Sequence, residues 1–491
     1  MTALLTTADV AGLLVDRRTT VDGVVIVGYG MAGARCAADL ARRGVKATVV
    51  GAEPHRAYNR ILLSNLLAGK VDETGVELPD SGGAIRTGSP VVAIDRGAQT
   101  VTCADGTVVE YEHLVLATGA TAWIPPVEGL DPDALPDRVA VFRTLDDCRR
   151  ILDYSEGART AIVLGGGLLG LEAARGLAGR GLSVQVVHPV GHLMERQIDP
   201  DASAILAGTL AELGITVHTG VSGARLTSGP DSVTLTLSDG RELTTDVLVL
   251  SCGVRPETGL ARDAGLAVER GIVVDDRLRT SDRRISAIGD CAQHRGQVGG
   301  LVAPAWAQAE VVARVLSGEE PLAAYQPAPI VTRLKANGID LASMGTLDGE
   351  HHEDLRFADP ARGTYARLRI HEGRVSGAVL LGDNPLVGQV IQLFDRGAPV
   401  PSDRRALLLG RSLGGPATAQ VAPTPALMPD AVTVCQCNTV SKGSIVRAWR
   451  DGCRDVAAIA ERTRATTGCG TCTDAVCGIA DWLSAQEGVK A

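Results

Sequence analysis

No run of about 18 consecutive apolar residues occurs in the 491-residue chain, so a membrane-spanning helix is not expected. Basic charge is scarce too: 48 Lys and Arg stand against 57 Asp and Glu, a formal net charge of -9. That balance argues against nucleic acid as the main partner and against an anionic membrane surface. The N-terminal residues lack a basic start followed by an apolar core and carry Asp9 and Asp16, so no secretory leader is expected. Six of the eleven cysteines (Cys36, Cys103, Cys148, Cys252, Cys291, Cys453) are scattered through apolar or loop contexts. They form no disulfide framework, which suits a reducing cytoplasm. The chain is 45% hydrophobic, enough for several cores, and its length suits about three or four domains.

Two segments carry the pattern of a nucleotide-binding turn. Val24 to Val27 reads as a strand, Gly28-Tyr29-Gly30-Met31-Ala32-Gly33 follows at once, and Ala34 to Arg43 reads as a helix stopped by Gly44. A second strand, Ala47 to Val50, leads to Glu53, which can accept from both ribose hydroxyls. The glycines permit a tight turn and close approach to a pyrophosphate, and the helix N-terminus offers free N–H groups to it. The pattern returns in Ala161 to Leu164, Gly165-Gly166-Gly167-Leu168-Leu169-Gly170 and a helix over Leu171 to Ala178. Here the strand Val184 to Val187 ends on His188 in place of an acid, with no Arg or Lys directly after it. A nicotinamide nucleotide is expected at Gly165, Gly167 and Gly170, with NADH favoured and NADPH open. His188 is read either as a ribose contact or as a surface-loop residue.

The remaining cysteines crowd between residues 435 and 477. Cys435 and Cys437 form C-x-C, and Cys469 and Cys472 form C-x-x-C, a set that suits an iron–sulfur cluster or zinc. Ser441 reads as the N-cap of a helix through Arg450, Asp455 as the start of a second over Val456 to Arg464, and Cys472 to Leu483 as a third. Cys477 is a spare. Upstream, 326–410 reads as a small α+β domain, with Thr364 to His371 and Arg374 to Leu381 as a hairpin and Leu386 to Asp395 as a helix. It is expected to pack on the first nucleotide domain. Residues 411–431 are rich in Pro, Ala and Gly and read as a tether that keeps the tail close while letting it swing.

Leu114-Val115-Leu116-Ala117-Thr118-Gly119 and Ile285-Ser286-Ala287-Ile288-Gly289-Asp290 resemble the second and third FAD motifs of the pyridine nucleotide–disulfide oxidoreductase superfamily. Gly253-Val254-Arg255-Pro256 resembles that family's return from the NAD domain to the FAD domain. The resemblance implies an α/β fold of two Rossmann-like dinucleotide-binding domains. The FAD domain (22–139 and 246–325) is split by an inserted NAD(P)-binding domain (140–245). An N-terminal extension (1–21), the small α+β domain, the linker and a small helical domain (432–485) complete the chain. FAD is expected at Gly28, Gly30, Gly33, Glu53, Thr118, Gly119 and Asp290, the last through its ribityl chain, with Gly253 among the cofactor-binding positions. Glu172 matches a family Glu beside the nicotinamide and flavin and is the catalytic candidate; the alternative is a helix Glu facing solvent. Trp306 falls where the family approaches the flavin ring, or is simply core.

The disulfide reductases of this superfamily need a Cys pair near the flavin, and its peroxide- and oxygen-reducing members a single Cys after the second strand. Here that segment is Tyr58-Asn59-Arg60-Ile61-Leu62-Leu63-Ser64-Asn65-Leu66-Leu67, without cysteine, so both chemistries lose their nucleophile. It resembles instead the Y-N-R-x-x-L-S pattern of the NADH-dependent nitrite reductase large subunit. Arg60 is a candidate for contact with the flavin or its phosphates, or a helix-surface arginine. The tail resembles the bacterioferritin-associated ferredoxin-like [2Fe–2S] domain, which makes Cys435, Cys437, Cys469 and Cys472 the cluster ligands, with zinc or free thiols as alternatives. Nitrite reductase large subunits continue into a sirohaem and [4Fe–4S] half, for which this sequence, ending at Ala491, has no room and no cysteines left. The resemblance therefore implies the electron-transfer subunit of an assimilatory nitrate reductase. NAD(P)H would give a hydride to FAD, and single electrons would pass through the cluster to a molybdenum nitrate reductase. Rival acceptors are a sirohaem nitrite reductase, a rubredoxin or a ferredoxin; a different class is a redox-sensing or docking module with a zinc-bound tail. A homodimer is compatible with the sequence.

Overall fold

The apolar run Val24–Val27 forms the central strand of a five-stranded parallel sheet, and all four of its residues are buried. A parallel strand covered on both faces needs that continuous apolar pattern. The sheet order is Ile285–Ala287, His113–Leu116, Val24–Val27, Ala47–Val50, Ala84–Arg86. In this computed structural model the described residues are 23–349, 352–384, 386–409, 425–435, 438, 440–467 and 472–488. They form two compact units, one made of residues through 58, 78–120 and 256–326, the other of 59–77, 121–255 and 327 onward. In the first unit the helices Met31–Arg42 and Val302–Leu316 share one apolar core with the sheet, through Cys36, Leu40, Val312 and Leu316 among others. The first helix begins at Met31, three residues before the sequence pattern places it, because it starts directly on the glycine loop. Among the described residues no helix is long and apolar enough to cross a membrane.

One polar pair sits inside this first sheet. His113 is buried and its Nε2 lies 3.0 Å from the Ser286 hydroxyl on the neighbouring strand. Burial pushes the imidazole from its ordinary value down to about 4, against a smaller upward pull from Asp282. The folded state thus holds His113 neutral, while the unfolded chain takes up a proton below about pH 6.5. The contribution is present above pH 6.5 and is lost as pH falls towards 4, on the order of 3 kcal/mol in all. Thermal unfolding measured from pH 7 to 4 should therefore fall less steeply in His113→Asn than in the parent. Parallel curves would show that His113 is not the group responsible.

The second unit repeats the architecture. Its parallel sheet runs Ile215–Thr219, Ser183–His188, Thr160–Leu164, Val247–Leu250, Val139–Val141. Val139–Val141 therefore pairs within this sheet, although the sequence pattern places Val139 in the preceding domain. Residues 59–77 belong to this unit as well, not to the first. The short helix Leu63–Leu67 lies on Leu168–Gly179, where Gly176 leaves room: a Cβ there would come within 3.4 Å of the Ala68 nitrogen. Arg180 donates to the Leu67 carbonyl (2.5 Å), the Cys148 thiol faces that of Leu63 (3.7 Å), and Arg149 pairs with Glu73 (2.7 Å). A five-residue helix carries too little periodicity to show its partner in sequence.

The small α+β region is a five-stranded antiparallel sheet, Val331–Ala336, Ile339–Gly345, Arg374–Leu381, Thr364–His371, Glu353–Asp359, with Val387–Asp395 packed on it. The hairpin turns through Glu372 and Gly373, both left-handed (φ 48° and 69°), as a tight two-residue turn demands. Its described contacts within the unit run to the second nucleotide fold. The Tyr365 hydroxyl (2.9 Å) and Arg367 (2.8 Å) both donate to Asp199, and the Ser343 hydroxyl to the Gln197 carbonyl (2.5 Å). Burial alone would raise the Asp199 carboxyl, but donors from Ala202 N–H, Arg367 and Tyr365 hold it below the usual carboxylate range. The tail has its own core, in which Cys435, Ile445, Trp449, Ile459, Cys472 and Val476 are buried together. Ser441 caps Lys442–Arg450 and Asp455 caps Val456–Thr463, as expected, and the last helix is Thr473–Gly488. The expected extension 1–21 and residues 411–424 of the expected linker lie outside the described residues.

Candidate functional site

Both glycine loops are built alike. Gly28 (φ 111°) donates to the Val50 carbonyl at 2.8 Å, and Gly165 (φ 127°) to the Val187 carbonyl at 2.8 Å. A Cβ on Gly28 would overlap the Ala117 carbonyl oxygen, and one on Gly165 that of Ser251. Gly30 and Gly167 stand at the N-cap positions of Met31–Arg42 and Leu168–Gly179, and no side chain caps either helix. Thr144, Asp199, Ser441 and Asp455 do cap other helices with side-chain oxygens. Among the described residues no side-chain cap thus meets the first-turn N–H groups behind either loop, and a Cβ on Gly167 would meet nothing within 4 Å, so these groups can serve a pyrophosphate. The residues present fit a dinucleotide at each loop.

In the first unit the other expected FAD positions collect at the same edge of the sheet. Thr118 and Gly119 follow Ala117, which packs on Gly28; the Thr118 hydroxyl donates to the Glu257 carbonyl (2.7 Å) and Glu257 N–H to the Gly119 carbonyl (2.9 Å). Asp290 lies in the turn Gly289–Cys291, half-buried. Gly289 itself sits against Ala32 and donates to the buried Gln308 (2.7 Å). Glu53 is half-buried beyond Ala47–Val50 and accepts from the Tyr58 hydroxyl at 2.6 Å, a positioning partner that sequence reasoning missed. Trp306 is core: it is buried, its indole N–H donates to the Met31 carbonyl (3.0 Å), and the Arg35 guanidinium stacks on its ring at 5.4 Å.

In the second unit Glu172 is buried on the helix Leu168–Gly179, one turn in from its start, so it is not a helix Glu facing solvent. His188 is also buried, which removes the surface-loop reading. Its ring takes the Gly166 N–H on Nδ1 (3.1 Å) and faces Glu195 through Nε2 (3.0 Å). Gly253 (φ 106°) lies just past Ser251, the residue packed on Gly165, and accepts from the Trp123 N–H at 2.9 Å. Arg60 opens the short helical turn Arg60–Leu62 and belongs to this unit, not to the one holding Gly28. The Asn59 side chain accepts from Ile61 N–H (3.0 Å) and donates to the Thr467 carbonyl in the tail (2.7 Å).

Of the four expected cluster ligands, Cys435 and Cys472 are buried in one core, while Cys437 and Cys469 lie outside the described residues. The Asn438 amide approaches the Cys435 sulfur at 3.6 Å and also donates to the Arg464 carbonyl (2.5 Å). A pair of buried thiols beside an amide donor suits anionic sulfur ligands, so these residues fit a thiolate-bound metal centre. Cys477 is partly exposed on the last helix.

The model of the pyridine nucleotide-disulphide oxidoreductase family matches residues 22–309. That of the rubredoxin NAD+ reductase C-terminal domain matches 331–395, and that of the BFD-like [2Fe–2S] binding domain matches 433–481. The chain is 35% identical over 483 residues to the nitrite reductase [NAD(P)H] large subunit of Klebsiella oxytoca, covering 95% of this chain and 49% of that protein. It is 32% identical over 478 residues to the assimilatory nitrate reductase electron transfer subunit of Bacillus subtilis (strain 168), covering 95% and 60%. The chain thus spans about half the length of the curated relatives it matches. Among solved structures, the covalent putidaredoxin reductase–putidaredoxin complex is similar with a TM-score of 0.70 at 27% identity, over 77% of this chain and 94% of that one.

Proposed function

The chain belongs to the pyridine nucleotide-disulphide oxidoreductase family, and on that premise we propose that it carries electrons from NAD(P)H, by way of FAD and a [2Fe–2S] cluster, to a protein acceptor. One observation carries the reading: two open glycine cradles of the same construction share a chain with a [2Fe–2S]-type domain holding buried thiols. FAD would lie on Gly28, Gly30 and Gly33, with Glu53, Thr118, Gly119 and Asp290 about it; Arg60 and Gly253 are further cofactor-binding candidates, in the second unit. NAD(P)H would lie on Gly165, Gly167 and Gly170. Cys435, Cys437, Cys469 and Cys472 would hold the cluster. When bound, FAD supplies what no side chain here can, acceptance of a two-electron hydride and release of single electrons.

The chain's own residues bind and orient. Tyr58 fixes the Glu53 carboxylate so that it can accept from a ribose. Glu172, buried on the helix Leu168–Gly179, orients the nicotinamide. The absence of cysteine from 58–67 leaves no thiol to divert electrons to a disulfide or a peroxide. The Asn438 amide stabilises charge on the Cys435 sulfur.

The relative named as an assimilatory nitrate reductase electron transfer subunit favours a molybdenum nitrate reductase as acceptor, in the cytoplasm. The similarity to a nitrite reductase large subunit over 95% of this chain favours a second reading, service to a sirohaem nitrite-reducing module. An anaerobic titration of the purified protein with NADH tests the route, followed by visible absorption and electron paramagnetic resonance. Bleaching of the flavin band should be followed by a reduced [2Fe–2S] signal, and nitrate reductase added afterwards together with nitrate, which takes up the electrons, should reoxidise both. Flavin bleaching with no cluster signal, and zinc in the metal analysis, would overturn it. Reoxidation by a sirohaem enzyme alone would favour the second reading.

A further inference from the structure

The second nucleotide fold has no acid at the end of the strand Ser183–His188, yet an acid stands beside it. The buried His188 ring takes the Gly166 N–H on Nδ1 at 3.1 Å. A backbone N–H only donates, so Nδ1 is unprotonated, and in the neutral ring the proton sits on Nε2. Nε2 then donates to Glu195 Oε2 at 3.0 Å. A neutral imidazole is holding a carboxylate in place.

The chain turns sharply to bring Glu195 there. Met194 has a left-handed backbone (φ 50°), unusual for its residue type, and donates to the Gly166 carbonyl at 3.0 Å. Leu193 N–H is tied to the buried Ser203 hydroxyl at 2.7 Å. Leu193 and His188 fill the space that a Cβ on Gly166 would need, at 2.6 and 2.8 Å. Beyond the turn, Ser343 holds the Gln197 carbonyl, and Arg367 and Tyr365 hold Asp199. A strained turn clamped at both ends marks a geometry that matters. The Glu195 side chain is 32% exposed, and its one hydrogen bond among the described residues is to His188, so Oε1 is left to accept.

We propose that Glu195, oriented by His188, is the carboxylate that reads the adenosine ribose of the nicotinamide nucleotide and selects NADH over NADPH. The inference rests on Gly165–Gly170 being the nicotinamide nucleotide loop. On such a fold the adenosine ribose lies at the end of the second strand, where a carboxylate accepts from the 2′-hydroxyl. A 2′-phosphate would bring its charge against Glu195, and the neutral His188 offers nothing to offset it. His188 is a positioning residue in this account. Arg196, exposed and without an ion pair among the described residues, is the neighbouring cation that the opposite preference would use.

The test is equilibrium binding of NAD+ and NADP+ to the flavin-loaded protein by calorimetry, together with KM for NADH and NADPH in dye reduction. The parent should bind NAD+ at least about tenfold more tightly than NADP+, the scale of one hydrogen bond to a charged group. Glu195→Gln should bring the two within about threefold of each other, with flavin content unchanged. His188→Leu should do the same, whereas His188→Gln, which keeps a donor towards Glu195, should restore most of the preference. Arg196→Ala should leave the preference in place. An unchanged preference in Glu195→Gln would overturn the proposal, as would a parent that prefers NADP+ and loses it in Arg196→Ala. A protein that bound neither nucleotide would instead remove the underlying reading of the Gly165 loop.

Discussion

Cys472→Ser should purify without its cluster and still reduce its flavin from NADH at the parent rate. Cys472 is 4% exposed, directly precedes the helix Thr473–Gly488 and shares the tail core with Cys435. A serine hydroxyl there keeps nearly the same volume but replaces a soft thiolate with a hard, protonated oxygen that iron–sulfur centres bind poorly. The nucleotide folds have cores of their own, so the loss should stay local. Iron content should fall to near zero, and dye reduction should be unchanged. Transfer to the protein acceptor should drop by about 100-fold or more, since even outer-shell changes at metal sites cost about 10–100-fold. Cys477→Ser, on the partly exposed part of the same helix, should behave as the parent. Normal iron in Cys472→Ser combined with its loss in Cys477→Ser would reassign the ligand set, and loss of zinc in place of iron would make the tail a zinc-bound docking module.

What could be read from the sequence was local chemistry. A strand, a glycine loop and a helix in immediate succession define their own geometry, and the two loops emerge with matching backbone angles at Gly28 and Gly165. The hairpin Thr364–His371 with Arg374–Leu381 and the caps at Ser441 and Asp455 are likewise decided within a few residues. What could not be read was where pieces dock. Residues 59–77 look like a continuation of the first fold in sequence, but their helix finds its groove on Leu168–Gly179, a matter of surface shape between distant segments. The small domain's hold on Asp199 is hidden for the same reason. The pairing of His188 with Glu195 depends on a left-handed Met194, a conformation that propensity argues against. Tyr58 and Glu53 are close in sequence but meet across a loop with no recognisable turn signature. Cys437 and Cys469 were singled out by spacing alone and lie outside the described residues.

The two glycine loops can be told apart by the same substitution made in each. A Cβ on Gly33 would overlap the Gly28 carbonyl oxygen and come within 3.4 Å of Ile26 Cγ2; one on Gly170 would overlap the Gly165 carbonyl oxygen and come within 3.5 Å of Ser251 Cβ. In both places the obstacle is backbone of the loop itself, so relief requires the helix to move off the strand or the loop to open. Overpacking of that kind costs about 1–3 kcal/mol in folded stability and displaces the N–H groups that face the pyrophosphate. Gly33→Ala should therefore lose most of its flavin on purification, with dye reduction from NADH falling in proportion and recovering in part when FAD is supplied in excess. Gly170→Ala should keep its flavin and instead raise KM for NADH by about tenfold or more, the scale of a misplaced charge-assisted hydrogen bond. The helix Val302–Leu316, which packs in the first core, should unfold with the flavin domain in Gly33→Ala and not in Gly170→Ala; hydrogen exchange can separate the two. If Gly170→Ala shed the flavin while Gly33→Ala kept it, the assignment of FAD and NAD(P)H to the two folds would have to be reversed. If both kept flavin and NADH affinity, neither loop would be the pyrophosphate cradle that its geometry describes.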